Sequence, residues 1–220
     1  MRIELRDICH KLEQRQLLEN INLTVESGQC LVVSGRSGSG KSLLFSIVCG
    51  IFPPQRGEVL VDGQSIVQMS EAQNLEFRKH LGVIFQVSAL ISNLTLAENL
   101  MLPLNLYFPD RNCDEKRQEV QAICHEFGLE SYLDQRTDQL STGLAALAGL
   151  ARALLVEPKL LVWDAPMSEI DLKWNDHLNN RLKHLKNAGT TFILFTNRQR
   201  IIERLADVRL DLSEGNSHAT

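Results

Sequence analysis

The chain has 220 residues, of which 44% are hydrophobic, and a formal net charge of −4. This length and apolar content are sufficient for one large domain with a substantial core. Charges of both signs are scattered, and no basic tract favours nucleic acid or an anionic membrane surface as a partner. The N-terminal MRIELRDICH has no apolar signal core, and no uninterrupted run of about 18 apolar residues occurs. We therefore expect a soluble chain, or one held at a membrane by a partner.

The five cysteines are odd in number and lack paired CxxC spacing. Because they lie mostly in apolar segments, we interpret them as reduced core residues of a cytosolic protein, with metal binding as the alternative. They are Cys9, Cys30, Cys49, Cys113 and Cys124.

Strand patterns dominate the first part of the chain. Hydrophobic periodicity and turn signals predict strands of an antiparallel sheet at 2–8 and 17–25, a strand at Cys30–Ser34, a helix at 42–48, and strands at 58–61 and 81–85. Helical patterns dominate the middle, with a capping box at 95–98 and helices at 113–128 and 141–155. The last part alternates, with strands at 160–163 and Thr191–Phe195 and helices at 171–188 and 201–206.

This order of elements indicates an α/β fold. We expect one domain spanning residues 1–220, in which a helical subdomain at approximately 87–158 is inserted into a core of alternating strands and helices. No internal repeat is apparent.

The segment GRSGSGKS is a complete phosphate-binding loop between an apolar strand and a helical run. Its three glycines let successive backbone N–H groups point inward, and the following helix adds the positive end of its dipole. In this motif Lys41 reaches the outer phosphates, and the hydroxyl of Ser42 is a ligand of magnesium. We therefore expect a nucleotide on Gly35, Arg36, Ser37, Gly38, Ser39, Gly40, Lys41 and Ser42.

Further segments follow in the order found in ATP-binding cassette (ABC) proteins. They are VIFQ ending at Gln86, LSTGL at 140–144, LLVWD ending at Asp164, SEID at 168–171 and FTN ending at Asn197. In these segments the whole chain resembles the nucleotide-binding subunit of an ABC transporter. The stretch 85–104 most resembles subunits of Mla-type lipid transport, and less closely those of lipoprotein release.

The resemblance implies a P-loop NTPase fold of the ABC type, with ATP and Mg²⁺ as cofactors. It implies membrane-spanning permease subunits and a second cassette subunit as partners, and a cytoplasmic position at the inner face of the membrane. Gln86 and Asp164 would help Ser42 hold magnesium, and Asp171 would lie in the D-loop. The remaining implied contacts are His10 on adenine, and Ser141, Thr142 and Gly143 of the signature on nucleotide bound by the other subunit.

Several positions depart from the family pattern. Thr142 and Leu144 replace residues of the signature LSGGQ, and His10 stands where an aromatic residue usually stacks on adenine. Ala165 replaces the catalytic glutamate after Asp164. An alanine cannot accept a proton from the attacking water, so we expect impaired hydrolysis at this chain's own site.

Asn197 replaces the switch histidine of the family. Its amide can donate a hydrogen bond to the terminal phosphate, but it is shorter than a histidine and carries no charge. An engineered Ala165 would be an alternative explanation for the missing glutamate. The independent change at Asn197 argues against it.

Two pairings remain open, and we favour the first. In a heterodimer with a complete subunit, this chain's loop holds ATP while Ser141 and Gly143 serve the partner's working site. In a homodimer, ATP acts only as a binding-driven clamp.

Two further interpretations of the sequence also stay open. One is an active ATPase in which Glu169 serves as a displaced base, and the second is a non-transport regulatory module on a membrane complex. The stretch 88–106 is a candidate docking surface for a membrane subunit, or else interior packing.

Overall fold

The computed structural model describes residues 1–13, 15–166, 175–213 and 218–219. Ten strands lie in this part of the chain: β1 Ile3–Leu12, β2 Arg15–Val25, β3 Cys30–Ser34, β4 Arg56–Val61, β5 Gln64–Ser65, β6 Leu81–Ile84, β7 Leu160–Asp164, β8 Thr191–Phe195, β9 Val208–Asp211 and β10 His218–Ala219. Seven α-helices accompany them in the same residues: α1 Lys41–Val48, α2 Glu71–Lys79, α3 Leu96–Tyr107, α4 Cys113–Glu126, α5 Thr142–Leu154, α6 Asn175–Asn187 and α7 Gln199–Leu205.

The strands form two sheets. The first is antiparallel with the order β2-β1-β4-β5, as the N-terminal strand pattern predicted. The second has the order β10-β9-β3-β8-β7-β6, in which β9 to β6 are parallel and β10 is antiparallel. The apolar strands β3, β8 and β7 are therefore central neighbours, and their carboxyl ends meet at one edge.

The parallel sheet separates two hydrophobic cores. Along β3, Leu31 and Val33 face a core shared with α1 and the antiparallel sheet, whereas Cys30 and Val32 face a core shared with the helices. This alternation follows from the two-residue period of a strand. Because α3, α4 and α5 share the second core with the sheet, the predicted helical segment packs directly on the strands that carry the loop.

Side-chain caps define the helix starts in the middle of the chain. Thr95 accepts a hydrogen bond from the N–H of Glu98, and the Glu98 carboxylate accepts one in return from the N–H of Thr95. Ser141 caps α5 by accepting from the N–H of Leu144. Gly128 has a φ of 62° just beyond α4, which explains why the helix ends there. These boundaries agree with the predicted ones.

Several elements were missed, and one predicted helix is described only in part. The sequence pattern missed α2, which begins with a capping box of Ser70 and Gln73 but has few apolar residues. It also missed the short strand β9, in which charged residues interrupt the apolar pattern. The first four residues of the helix predicted at 171–188 lie outside the described residues.

Strand β1 contains a bulge that affects which of its side chains face the site. Asp7 has a φ of 48°, and the register of β1 shifts between Leu5 and Ile8. Gly57 of β4 has a φ of 85° opposite this bulge, where a Cβ would lie 2.3 Å from the carbonyl oxygen of Arg6. A side chain at position 57 therefore cannot be accommodated without displacing β1.

The cysteines are free thiols, and Cys30, Cys49 and Cys124 are buried. Burial raises the pKa of Cys30 to about 12 and that of Cys124 to about 11, so both remain thiols at neutral pH. Cys113 differs from the prediction because it is exposed at the start of α4. Among the described helices, none has the length and apolar character required to cross a membrane.

Candidate functional site

The carboxyl ends of β3, β7 and β8 border a cavity of about 880 Å³. The order of the strands predicts this position, because loops at the carboxyl edge of a parallel sheet converge on one crevice. The predicted residues that line it are Ser37, Gly38, Gly40, Lys41, Ser42, Gln86, Asp164, Ala165 and Asn197.

The loop between β3 and α1 has the backbone of an anion-binding cradle. Gly38 and Gly40 have φ values of 73° and 96°, which other L-residues rarely adopt. A Cβ on Gly40 would lie 2.9 Å from a methyl carbon of Leu18, so this position also lacks space for a side chain. No side chain caps α1, so its first N–H groups remain available to a phosphate.

The ammonium group of Lys41 lies over this loop. It donates to the carbonyl oxygens of Gly35 and Arg36, the second at 2.9 Å. Ser42 is exposed at the first turn of α1, and Asp164 and Gln86 line the same cavity. A positively charged cradle with a hydroxyl, an amide and a carboxylate beside it fits a nucleotide triphosphate with magnesium.

Asp164 is half-buried at the end of β7. Burial raises the pKa of its carboxyl group, while the nearby Lys41 ammonium opposes that shift. Only the ionised form can act as a magnesium ligand or accept from a magnesium-bound water. The site therefore places a carboxylate where its charge is costly without a cation.

Ala165 continues the chain from Asp164 in a left-handed conformation, with a φ of 52°. Its N–H donates to the carbonyl oxygen of Phe195 at 2.9 Å, which ties the end of β7 to the end of β8. Its methyl group supplies no proton acceptor to the cavity that it lines.

Asn197 pairs with the backbone of the phosphate-binding loop. Its Oδ1 accepts from the N–H of Gly35 at 2.9 Å, and its Nδ2 donates to the carbonyl oxygen of Gly35 at 2.9 Å. The sequence suggested that this amide donates to a terminal phosphate. In the structure the amide is instead turned toward Gly35.

Comparison with known proteins places this site in a family. A family model described as "ABC transporter" matches residues 18–168, which is more than half of the chain. The chain belongs to the ABC transporter family of ATP-binding proteins.

Relatives within the ABC family have different transport roles. The chain is 34% identical over 202 residues to the lipoprotein-releasing system ATP-binding protein LolD of Psychrobacter arcticus, covering 91% of this chain and 89% of that protein. It is 29% identical over 215 residues to the Fe(3+) ions import ATP-binding protein FbpC of Escherichia coli O157:H7. That match covers 97% of this chain but only 60% of the length of FbpC.

A solved structure confirms the predicted ABC-type α/β fold. The ATP-binding cassette MJ0796, in a dimeric post-hydrolysis state bound to ADP and phosphate, matches with a TM-score of 0.89 and 26% identity. The match covers 99% of this chain and 97% of that chain. The antiparallel sheet, the parallel sheet and the helical segment are thus those of an ABC cassette.

His10, which we expected to contact adenine, lies away from the lining of the cavity in this ABC protein. The bulge at Asp7 turns the side chain of His10 inward, where it is buried and contacts Phe52 with ring centroids 5.4 Å apart. Leu12 instead lines the cavity and is 61% exposed. His10 therefore does not line the cavity of the phosphate-binding loop, and its contact with adenine stays a prediction.

The turn between β1 and β2 was missed as part of the site. Glu13, Arg15 and Leu17 line the cavity beside Leu12. The sequence offers one signal for this turn: the apolar Leu12 is followed by the charged and polar residues 13–16. That signal is weak because the same pattern occurs in many surface hairpins.

The signature residues lie at the start of α5. Ser141 and Thr142 are exposed and Gly143 is half-buried, and none of the three lines the cavity of the chain's own loop. Asp171 of the D-loop and Glu169 lie outside the described residues.

Proposed function

We propose that this chain is an ATP-binding subunit of an ABC transporter whose own site holds MgATP and hydrolyses it poorly. The single observation that carries the proposal is Ala165 at the end of β7, beside Asp164 in the cavity of the phosphate-binding loop. Positioned acid–base groups contribute about 10²- to 10⁴-fold in rate, or roughly 3 to 5 kcal/mol of barrier. A methyl group at this position provides none of that assistance.

The other residues of the site are suited to holding nucleotide. The N–H groups of the loop beyond Gly35 and of the first turn of α1 would bind the phosphates, and Lys41 would move from the loop carbonyls to the outer phosphates. Ser42, Gln86 and Asp164 would hold magnesium. MgATP would supply the terminal phosphate that water attacks in hydrolysis. Among the described residues that line the cavity, the carboxylates are those of Asp164 and Glu13.

The base would rest on the turn between β1 and β2. Leu12 presents an exposed apolar side chain to the cavity and is therefore the residue that we assign to the adenine face. A leucine covers the ring with a smaller flat surface than an aromatic side chain does. We expect weaker and less base-selective binding than an aromatic residue would give.

We further propose that the chain pairs with a complete cassette subunit. The MJ0796 cassette is dimeric with ADP and phosphate bound. In such a pair, Ser141, Thr142 and Gly143 would face the nucleotide on the partner's loop. They are exposed or half-buried at a helix start, where backbone N–H groups and a hydroxyl are available to a phosphate. The partner's site would then hydrolyse ATP, and this chain's site would hold it.

The partners at the membrane would be membrane-spanning permease subunits, with this chain bound to them on the cytoplasmic side. The helical segment at 87–158 exposes Val87 at 81% and Leu106 at 60%, and Ile91 and Leu102 are also partly exposed. Exposed apolar side chains of this kind support a protein contact. The resemblance of residues 85–104 to lipid-transport subunits, together with the similarity to LolD, supports a lipid or lipoprotein cargo.

Steady-state ATP hydrolysis tests this proposal. The purified chain is expected to bind MgATP with little turnover, and Lys41→Ala is the control that removes binding. Turnover should appear when a complete cassette subunit is added, and Ser141→Arg in this chain should block it. Sustained hydrolysis by this chain alone at rates typical of enzymes, near roughly 10 s⁻¹, would refute the impaired site.

A further inference from the structure

The ladder between β3 and β8 does not stop where the strands end. The N–H of Thr196 donates to the carbonyl oxygen of Val33 at 2.9 Å. The next rung is made by the Asn197 side chain, which accepts from Gly35 N–H and donates to Gly35 C=O, each at 2.9 Å. A side-chain amide has the same donor and acceptor as a peptide group, so it can extend a ladder by one rung.

Gly35 is the residue at which the chain leaves β3 and enters the loop. It is buried, with a φ of 150°, and a Cβ there would lie 2.5 Å from the hydroxyl oxygen of Ser39. Glycine has many accessible backbone conformations, so holding it in one of them costs conformational entropy. The paired amide of Asn197 offsets this cost by binding both polar groups of the Gly35 backbone.

We propose that Asn197 is a positioning residue that holds the phosphate-binding loop in the shape that receives nucleotide. It does so through Gly35 and does not read the terminal phosphate. This inference rests on the proposed function, because it concerns the same nucleotide site. Its consequence is that Asn197 supports the diphosphate and the triphosphate equally.

The affinities for ADP and for a non-hydrolysable ATP analogue test this inference. Asn197→Ala removes two hydrogen bonds and should weaken the binding of both ligands to a similar extent, by about tenfold. The matched control is Asn187→Ala, an exposed asparagine at the end of α6, which should leave both affinities unchanged. Titration calorimetry with magnesium present measures the dissociation constants of both ligands for both variants.

Three outcomes separate a failure of this inference from a failure of the proposed function. A loss confined to the triphosphate analogue would overturn the inference, because it would show that Asn197 contacts the terminal phosphate. Unchanged affinities in Asn197→Ala would overturn it as well. Failure of the unsubstituted chain to bind either ligand would instead refute the proposed function.

Amide hydrogen exchange of Gly35 supplies a readout that requires no nucleotide. In the unsubstituted chain the Gly35 N–H is hydrogen-bonded and should exchange slowly. Asn197→Ala should increase its exchange rate by about tenfold or more, while the amides of β3 remain protected. Asn197→Asp keeps the acceptor and the shape but lacks the donor, so its Gly35 rate should lie between those of the unsubstituted chain and Asn197→Ala. Equal Gly35 rates in all three proteins would overturn the inference.

Discussion

Ala165 has a backbone conformation that its side chain does not favour. A left-handed conformation costs an L-residue about 1–2 kcal/mol relative to the right-handed one. Glycine avoids this cost but increases the entropy of the unfolded chain. The position thus carries only a methyl group and still has an unfavourable φ of 52°.

We expect Ala165→Gly to increase the free energy of unfolding by about 0.5 kcal/mol, since relief of the left-handed strain exceeds the entropic cost of glycine. Urea unfolding measures this change. The matched control is Ala122→Gly in the exposed interior of α4, which should lose about 1 kcal/mol. A loss of stability in both variants would contradict the assignment of strain to Ala165.

Asp164 should make the free energy of unfolding of the nucleotide-free chain depend on pH. Burial raises the pKa of this carboxyl in the folded state, so the folded chain binds the proton more tightly than the unfolded chain does. The stability associated with this proton is fully present below the unfolded pKa. It is lost as pH rises through the folded pKa. Asp164→Asn should therefore stabilise the nucleotide-free chain at neutral pH. The difference should shrink as pH falls below about 4 and vanish near about pH 2, where the carboxyl is protonated in both states. Denaturant unfolding at these pH values checks this.

The same Asp164→Asn variant should lose magnesium-dependent nucleotide affinity, because a neutral amide is a poorer magnesium ligand. A variant that is instead less stable at neutral pH would show that the attraction between Asp164 and Lys41 outweighs the effect of burial. Combining Lys41→Ala with Asp164→Asn distinguishes the effect of burial from that of the attraction between Asp164 and Lys41.

Leu12 and His10 give opposite expectations for base binding. Leu12→Tyr should tighten the binding of adenine nucleotides about tenfold, since stacking of a base on an aromatic ring contributes about 1–3 kcal/mol. His10→Leu should leave the affinity unchanged, because this ring is buried against Phe52 and its Nδ1 has no hydrogen-bond partner among the described residues. Fluorescent-nucleotide titration of both variants measures the effect. Weakened binding in His10→Leu would indicate that His10 does contact the base.

At the level of elements, the turn before α3 depends on one buried amide. Asn99 is fully buried, its Oδ1 accepts from the N–H of Ile91 at 2.8 Å, and its Nδ2 donates to the carbonyl oxygens of Ile91 and Thr95, each at 3.0 Å. The hydroxyl of Thr137 also donates to the carbonyl oxygen of Ile91, at 2.9 Å. The helical segment thus holds the turn that presents the exposed Ile91 side chain.

We expect Asn99→Ala to reduce the free energy of unfolding by about 1–2 kcal/mol, because the N–H of Ile91 loses its acceptor and the carbonyl oxygens of Ile91 and Thr95 each lose one of their donors. Chemical unfolding gives the value. Asn93→Ala, an exposed asparagine in the same turn, should change it by less than about 0.5 kcal/mol. Similar losses in both variants would mean that the turn itself, rather than the Asn99 amide, is the sensitive feature.

The elements that the sequence predicted best are those with a single strong pattern. The central strands β3, β7 and β8 are short apolar runs, and each was located to within one residue. The element α2 was missed because its capping box precedes a polar helix with only Phe77 buried. The burial of His10 was not foreseen because the bulge at Asp7 reverses the inward and outward alternation of β1, which periodicity alone does not reveal.

The candidate site was predicted more completely in composition than in geometry. Motif order brought the loop, Gln86, Asp164, Ala165 and Asn197 together, and the structure places them at one cavity. The pairing of Asn197 with Gly35 was not foreseen, because it depends on how the ends of β3 and β8 align in space. The position of Leu12 at the cavity was hidden for a similar reason.

For the whole molecule, nucleotide binding should be measurable as stability. A ligand that binds only the folded state at about 100 times its dissociation constant adds about 2.7 kcal/mol to the free energy of unfolding. Saturating MgATP should therefore raise the thermal midpoint of the chain, and removal of magnesium with a chelator should reduce that rise. Scanning calorimetry provides the measurement.

Lys41→Ala is the control for this experiment and should show no rise with nucleotide. If both proteins gained the same stability, the ligand would be bound outside the phosphate-binding loop. If the unsubstituted chain gained none, the proposed site would not hold nucleotide under these conditions.

The alignment of β3, β7 and β8 separates the residues that fill the cores from those that line the cavity. The strand interiors fill both cores, and a shift of one residue would exchange the contents of the two. Ala165 and Asn197 lie just beyond the strand ends, outside this constraint. Side chains at these two positions can therefore be exchanged in mutants without changing the contents of either core.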